Sequence, residues 1–174
     1  MRLLIAASLC LLALRSHPLA APRSGFGLAG GPVAHRTEVL LIDLSTQRYD
    51  SAGLTLLGDA QFVVNERWSL NPFLMLSLER ASGDIRGTVS YGASGFQVRR
   101  WLEGLFVAGH LGYYVELLTD PRHSRTVYGE GLGLALGGER GDGVGWIAQV
   151  DLPRVLVHDE SRIGLSLLLS LRWH

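Results

Sequence analysis

From Arg162 to Trp173 the chain alternates between two kinds of side chain. Odd positions hold Ile163, Leu165, Leu167, Leu169, Leu171 and Trp173, and even positions hold Arg162, Gly164, Ser166, Leu168, Ser170 and Arg172. A period of two is that of a strand, so one face is aliphatic and the other small and polar, with Leu168 the exception. The same alternation predicts five further strands. Over 52–64, Leu54, Leu56, Phe62 and Val64 oppose Thr55, Asp59 and Gln61. Over 68–80, Trp68, Leu70, Leu74, Leu76 and Leu78 oppose Ser69, Asn71, Ser77 and Glu79. Over 104–118, Leu105, Val107, Leu111, Tyr113, Val115 and Leu117 oppose His110, Tyr114 and Glu116. Over 127–138, Tyr128, Leu132, Leu134 and Leu136 oppose four glycines and Ala135. Over 143–152, Val144, Trp146, Ala148, Val150 and Leu152 oppose Gly145, Ile147, Gln149 and Asp151.

Two segments fit less cleanly. Over 87–100, Val89 and Tyr91 share one parity and Phe96 and Val98 the other, so a bulge near Gly92–Gly95 is expected. Residues 24–34 alternate glycine with larger residues and form the first strand. Residues 36–45 read either as its continuation or as part of the first loop, and Pro32, which has no N–H, predicts a break. The count is about eight strands. Asn65–Arg67, Arg100–Glu103 and Glu139–Gly143 read as tight turns on one side. Ser45–Ser51, Ala81–Arg86, Thr119–Thr126 and Pro153–Ser161 read as longer polar loops on the other. Alternation of short and long connections is the arrangement of an outer-membrane barrel, with the short turns periplasmic. The chain has no apolar run of the roughly 18–20 residues that a membrane helix needs, so a membrane reading requires a barrel. The expected fold is all-β: a single antiparallel up-and-down barrel of about eight strands, transmembrane.

A soluble secreted carrier would have the same strand count with its apolar face inward around an apolar ligand. Its outer face would then meet water and carry charge. The face opposite the leucines is instead mostly Gly and Ser over 127–138 and 162–173, which suits a narrow interior and puts the leucines against lipid. Trp68, Trp101, Trp146 and Trp173 all fall near the tight-turn ends and are expected to form one interfacial girdle. On these strands, on segments such as RWSLNPFLMLSLE and LFVAGHLGYYVEL and on the terminal IGLSLLLSLRW, residues 24–174 resemble the small bacterial outer-membrane β-barrel family of the OmpA/OmpX type. The resemblance implies residence in the outer membrane of a Gram-negative cell envelope, a monomer, and passage through the barrel-assembly machinery. Members typically end on an aromatic residue; here Trp173 is penultimate and His174 last.

Composition adds location. Charged residues make up 18% of the chain, below the usual quarter or so. All 16 basic residues are arginine, and no basic cluster points to nucleic acid. Met1-Arg2 followed by the apolar Leu3–Leu14 and small Ala20-Ala21 reads as a signal peptide over 1–21, leaving 22–174 as the barrel domain. Twelve apolar residues are short for an anchor helix, and Cys10, inside the apolar core after Leu9, does not suit a lipoprotein. The remaining chain has 14 Arg against 16 acids, a net of −2, and no cysteine. That excludes thiolate chemistry, disulfides and Cys-ligated zinc there.

The inward parity collects Asp59, Gln61, Glu79, Arg99, His110, Glu116, Gln149, Asp151 and Arg172. Buried charges must be paired, and eight strands leave room only for side chains. These residues therefore read as a structural polar network filling the lumen, in preference to a gated polar pathway. His123-Ser124 and His158-Asp159-Glu160-Ser161 supply the residue types of a lipid-modifying hydrolase without its local motif. Asp120, His123 and His158 lack diagnostic metal spacing, and the glycines of GEGLGLALGG follow strand period instead of opening a helix. No catalytic, metal or cofactor site is expected, and the functional expectation is a non-enzymatic envelope protein with a structural or surface-interaction role.

Overall fold

The computed structural model describes residues 22–40, 45–120, 124–155 and 160–174. The expected signal peptide and residues 41–44, including the end of the undecided first segment, lie outside them. Eight strands follow in order: β1 (Gly25–Leu40), β2 (Thr46–Asn65), β3 (Trp68–Gly83), β4 (Gly87–Leu102), β5 (Leu105–Thr119), β6 (Ser124–Glu139), β7 (Val144–Val155) and β8 (Glu160–Trp173). Each pairs antiparallel with its chain neighbours, and β1 closes on β8 to make a barrel. Closure leaves no edge with unpaired backbone groups, the condition for a sheet to sit in lipid.

Three expectations about individual strands change. β1 runs unbroken through Pro32, which stays opposite Leu54 on β2. Only its ladder to β8 is interrupted, between the pairs Gly30–Leu169 and Val33–Ser166, with the register unchanged on either side. A proline lacks its donor toward one neighbour only, so one ladder gaps and the strand continues. Pro72 gives the same one-sided gap toward β2, and Pro153 toward β8. In β4 no bulge occurs: the register to β3 and β5 is constant throughout. Val89 and Tyr91 simply face inward while Phe96 and Val98 face outward, because the lumen contains large apolar and aromatic side chains as well as polar ones. The register shift lies instead in β2, between Val63 and Asn65, at the turn into β3. The third change is in the connections. Most described residues of the stretches read as long loops are strand, with Tyr49, Asp50 and Ser51 inside β2; polar residues on both faces hide the alternation from hydropathy while the backbone ladder continues. At the other end the β4–β5 turn is two residues, Glu103 and Gly104, both at positive φ, the combination a tight hairpin with native twist requires.

Apart from Leu57, Leu118 and Leu168, the described strand leucines face out. Leu54, Leu134 and Leu169 each keep about two-thirds of their surface exposed, at 70%, 68% and 66%. The apolar outer face runs from Trp68 to Leu78 on β3, from Leu105 to Leu117 on β5 and from Ile163 to Trp173 on β8. Each is long enough to supply the roughly 9–11 tilted residues that cross a bilayer. A soluble carrier with its apolar face inward is thereby excluded. The tryptophan girdle needs one correction. Trp68 and Trp173 are exposed and Trp146 lies half-buried over Gly138 on the outer face. Trp101 instead points into the lumen and is only 3% exposed, because its odd position on a bulge-free β4 is an inward one.

Candidate functional site: the barrel lumen

All nine residues expected in the lumen are buried inside it: Asp59, Gln61, Glu79, Arg99, His110, Glu116, Gln149, Asp151 and Arg172. They form three groups along the barrel. Nearest the tight turns, Asp59 on β2 accepts from two arginines. Arg172 Nη2 on β8 donates to both its oxygens at 2.9 and 3.0 Å, and Arg99 on β4, two strands away on the other side, donates to Oδ2. Arg99 also donates to Gln97 at 2.6 Å and to Gln61 at 3.1 Å, with its guanidinium 4.5 Å from the centre of the Phe106 ring. Arg172 Nε reaches Glu139 at 2.9 Å, and the imidazole of His174 closes on the same carboxylate at 3.1 Å. The last residue thus has the inward parity of Arg172, while Trp173 beside it faces out.

At mid-height the charge is sparser. Asp151 sits 2.8 Å from His110 Nε2 and accepts from Gln149 Nε2 at 3.0 Å and from the Tyr114 hydroxyl at 3.5 Å. Met75, Phe73, Leu57 and Leu168 pack around this level. The gap among Leu57, Phe73, Gln97, Arg99, His110 and Gln149 admits no water-sized sphere. Toward the other end, Arg162 on β8 bridges two carboxylates. Its Nη2 donates to Glu79 at 3.2 and 3.1 Å and its Nη1 to Glu116. Glu79 also accepts from Ser51 and Ser77, both at 2.5 Å, and lies 2.8 Å from His35 Nδ1. Glu116 accepts from the Tyr49 hydroxyl at 2.5 Å. A buried carboxylate is tolerable only with this density of donors.

Inward glycines make the space. A Cβ on Gly133 would stand 2.0 Å from His110 Nε2, one on Gly164 2.2 Å from His35 Cδ2, and one on Gly27 2.2 Å from Asp59 Oδ1. Each of these glycines is the direct cross-strand partner of the side chain it accommodates, so the small inward positions of β6, β8 and β1 make room for bulky side chains from the adjacent strand. Sequence reasoning missed His35, Tyr49, Glu139 and Arg162 as lumen residues. The signal was present for Arg162, which shares the parity of Arg172. His35 fell in an undecided strand, Tyr49 in an expected loop and Glu139 in an expected turn.

Ser124 and Ser161 lie on β6 and β8 and make no hydrogen bond to a described histidine, while His123, His158 and Asp159 lie outside the described residues. No group of three metal-ligating side chains occurs among the described residues.

No family model matches the chain, and no curated protein matches it either. Among solved structures it is similar to Ail, the attachment invasion locus protein of Yersinia pestis. The TM-score is 0.57 at 12% identity, over 87% of this chain and 100% of that one. A second structure, of Ail in complex with the heparin analogue sucrose octasulfate, aligns over the same shares with a TM-score of 0.60 and 14% identity. At that identity the likeness is one of fold, a closed eight-stranded antiparallel barrel.

Proposed function

We propose that this chain resides in the outer membrane of a Gram-negative bacterium as a closed, non-enzymatic barrel, acting structurally and through its outward-facing ends. The observation that carries this reading is the crossed set of ion pairs within a leucine-covered wall. Arg99, Asp59, Arg172 and Glu139 span the interior near the tight turns, and Arg162 spans it again near the far end. A lumen filled this way supports a plug and argues against a pore, since each conducting ion would have to displace a paired buried charge. The polar strand ends beyond the apolar band supply the surface for interactions. Lipid is the partner of the outer face, the barrel-assembly machinery is met during biogenesis, and the barrel works as a monomer.

The test is to express the full chain, fractionate the cells, and compare gel mobility with and without boiling. The purified barrel is then placed in a planar bilayer. The expected result is a detergent-requiring outer-membrane protein with heat-modifiable migration and no conductance steps. A protein released without detergent would overturn the location. Regular conductance steps would overturn the plug.

A further inference from the structure

Four arginines stand on the outer face of β1–β4 or in its β3–β4 turn, beyond the apolar band: Arg36, Arg48, Arg80 and Arg86. Two are compensated. Arg36 pairs with Asp50 at 2.8 Å and Arg48 with Glu38 at 2.9 Å. Asp84, in the same turn as Arg86, accepts from the backbone N–H of Arg48. Arg80 and Arg86 are both exposed and have no hydrogen bond or ion pair to a described residue. They border one open recess of about 810 Å³, with Ser82, Thr88 and Thr119 also on its wall. Arg80 is directly opposite Thr88 across the β3–β4 ladder. Of the two acids at the recess, Glu79 turns its carboxylate into the lumen, where Arg162 and His35 hold it, and Asp120 lies at the margin with a partner of its own. Immediately below, Leu78 is 62% exposed and stands opposite Leu54, at the start of the leucine band.

We propose that this recess binds the phosphate of an outer-leaflet lipid headgroup, held by Arg80 and Arg86 with the Thr88 hydroxyl. The inference rests on the membrane reading above. Guanidinium groups match phosphate oxygens in charge and in donor geometry. Their place one step above exposed leucines lets a single molecule put its phosphate on the arginines and its acyl chains on Leu54 and Leu78. A free anion would gain only the first of these, and that favours a lipid as the occupant.

The test uses the full barrel in uncharged maltoside micelles, after heat-modifiable gel mobility has established that it is folded. Phosphatidic acid, inorganic phosphate and diacylglycerol are titrated separately and bound lipid is counted by native mass spectrometry. Phosphatidic acid is expected to bind with an affinity that falls about tenfold or more in R80Q/R86Q and changes less than about twofold in R36Q, whose arginine is already paired. Equal binding to R80Q/R86Q overturns the site. Inorganic phosphate binding as tightly as phosphatidic acid, or diacylglycerol doing so, overturns the lipid-phosphate assignment. A chain without heat-modifiable migration would instead sink the membrane reading, and this proposal with it.

Discussion

The two ends of the lumen solve the same problem with different charge ratios. Near the tight turns two arginines, Arg99 and Arg172, face two carboxylates, Asp59 and Glu139. Near the far end a single arginine, Arg162, faces two carboxylates, Glu79 and Glu116. The Ser51, Ser77 and Tyr49 hydroxyls make up the difference there, and the His35 ring lies 2.8 Å from Glu79. The first end has redundancy, because Asp59 keeps one guanidinium if the other is lost. The second has none, because every ion pair to an arginine passes through one side chain. Buried charge is costly chiefly when it loses its partner, so the two ends should differ sharply in tolerance to substitution even though every one of these carboxylates meets an arginine.

Arg162→Met should be the most damaging change. It keeps the volume and leaves Glu79 and Glu116 without a cation, for an expected loss of about 3–5 kcal/mol. Urea unfolding of the barrel refolded into lipid vesicles, followed by loss of heat-modifiable migration, reads it out. If the single variant does not fold, R162M/E116Q should recover part of the loss by removing one orphaned charge. No gain from the second change would refute the charge argument. Arg99→Met should cost less, about 2 kcal/mol, since Arg172 still holds Asp59 through both oxygens. Equal losses in R162M and R99M would erase the contrast between the two ends.

The same two ends differ in how far the sequence discloses them. Asp59, Gln61 and Arg172 lie in stretches where no polar residue interrupts the outer face, so parity alone puts them inside. The far end draws His35, Tyr49 and Ser51 from segments with polar residues on both faces, where alternation of hydropathy vanishes although the backbone ladder continues. Strand existence, order and closure were therefore legible, and the strand ends were not. In β4 the reading failed for a different reason. The rule that inward means polar misplaces Val89 and Tyr91, which belong to a lumen whose apolar and aromatic side chains include Phe73, Met75 and Tyr114. Tyr91 in turn lies under the Arg162 guanidinium, 4.3 Å from its ring centre, so even the aromatic part of this interior is tied to the charge network. Which carboxylate meets which arginine depends on barrel closure across positions as far apart as Asp59 and Arg172, and no local pattern encodes that.

Trp101 gives a smaller expected effect than either arginine and the most direct check of which side of the wall a residue faces. In the lumen its Nε1 donates to Ser69 Oγ at 3.0 Å, Ser69 donates to Asn71 Oδ1 at 3.0 Å, and Asn71 Nδ2 donates to Asp59 at 3.1 Å. The indole is thus the outer member of the shell around the better-compensated cluster. Its ring also packs on Phe106 at 5.1 Å between centres. Trp101→Phe preserves that packing and breaks the first hydrogen bond, for an expected loss of about 1 kcal/mol. Trp173→Phe, on the outer face, should change stability by less. Fluorescence separates the two sides independently of stability: with only one tryptophan retained at a time, brominated acyl chains should quench Trp68 and Trp173 strongly and Trp101 weakly. Strong quenching of Trp101 would move it to the lipid face and with it the parity of β4, which carries Arg99 into the lumen.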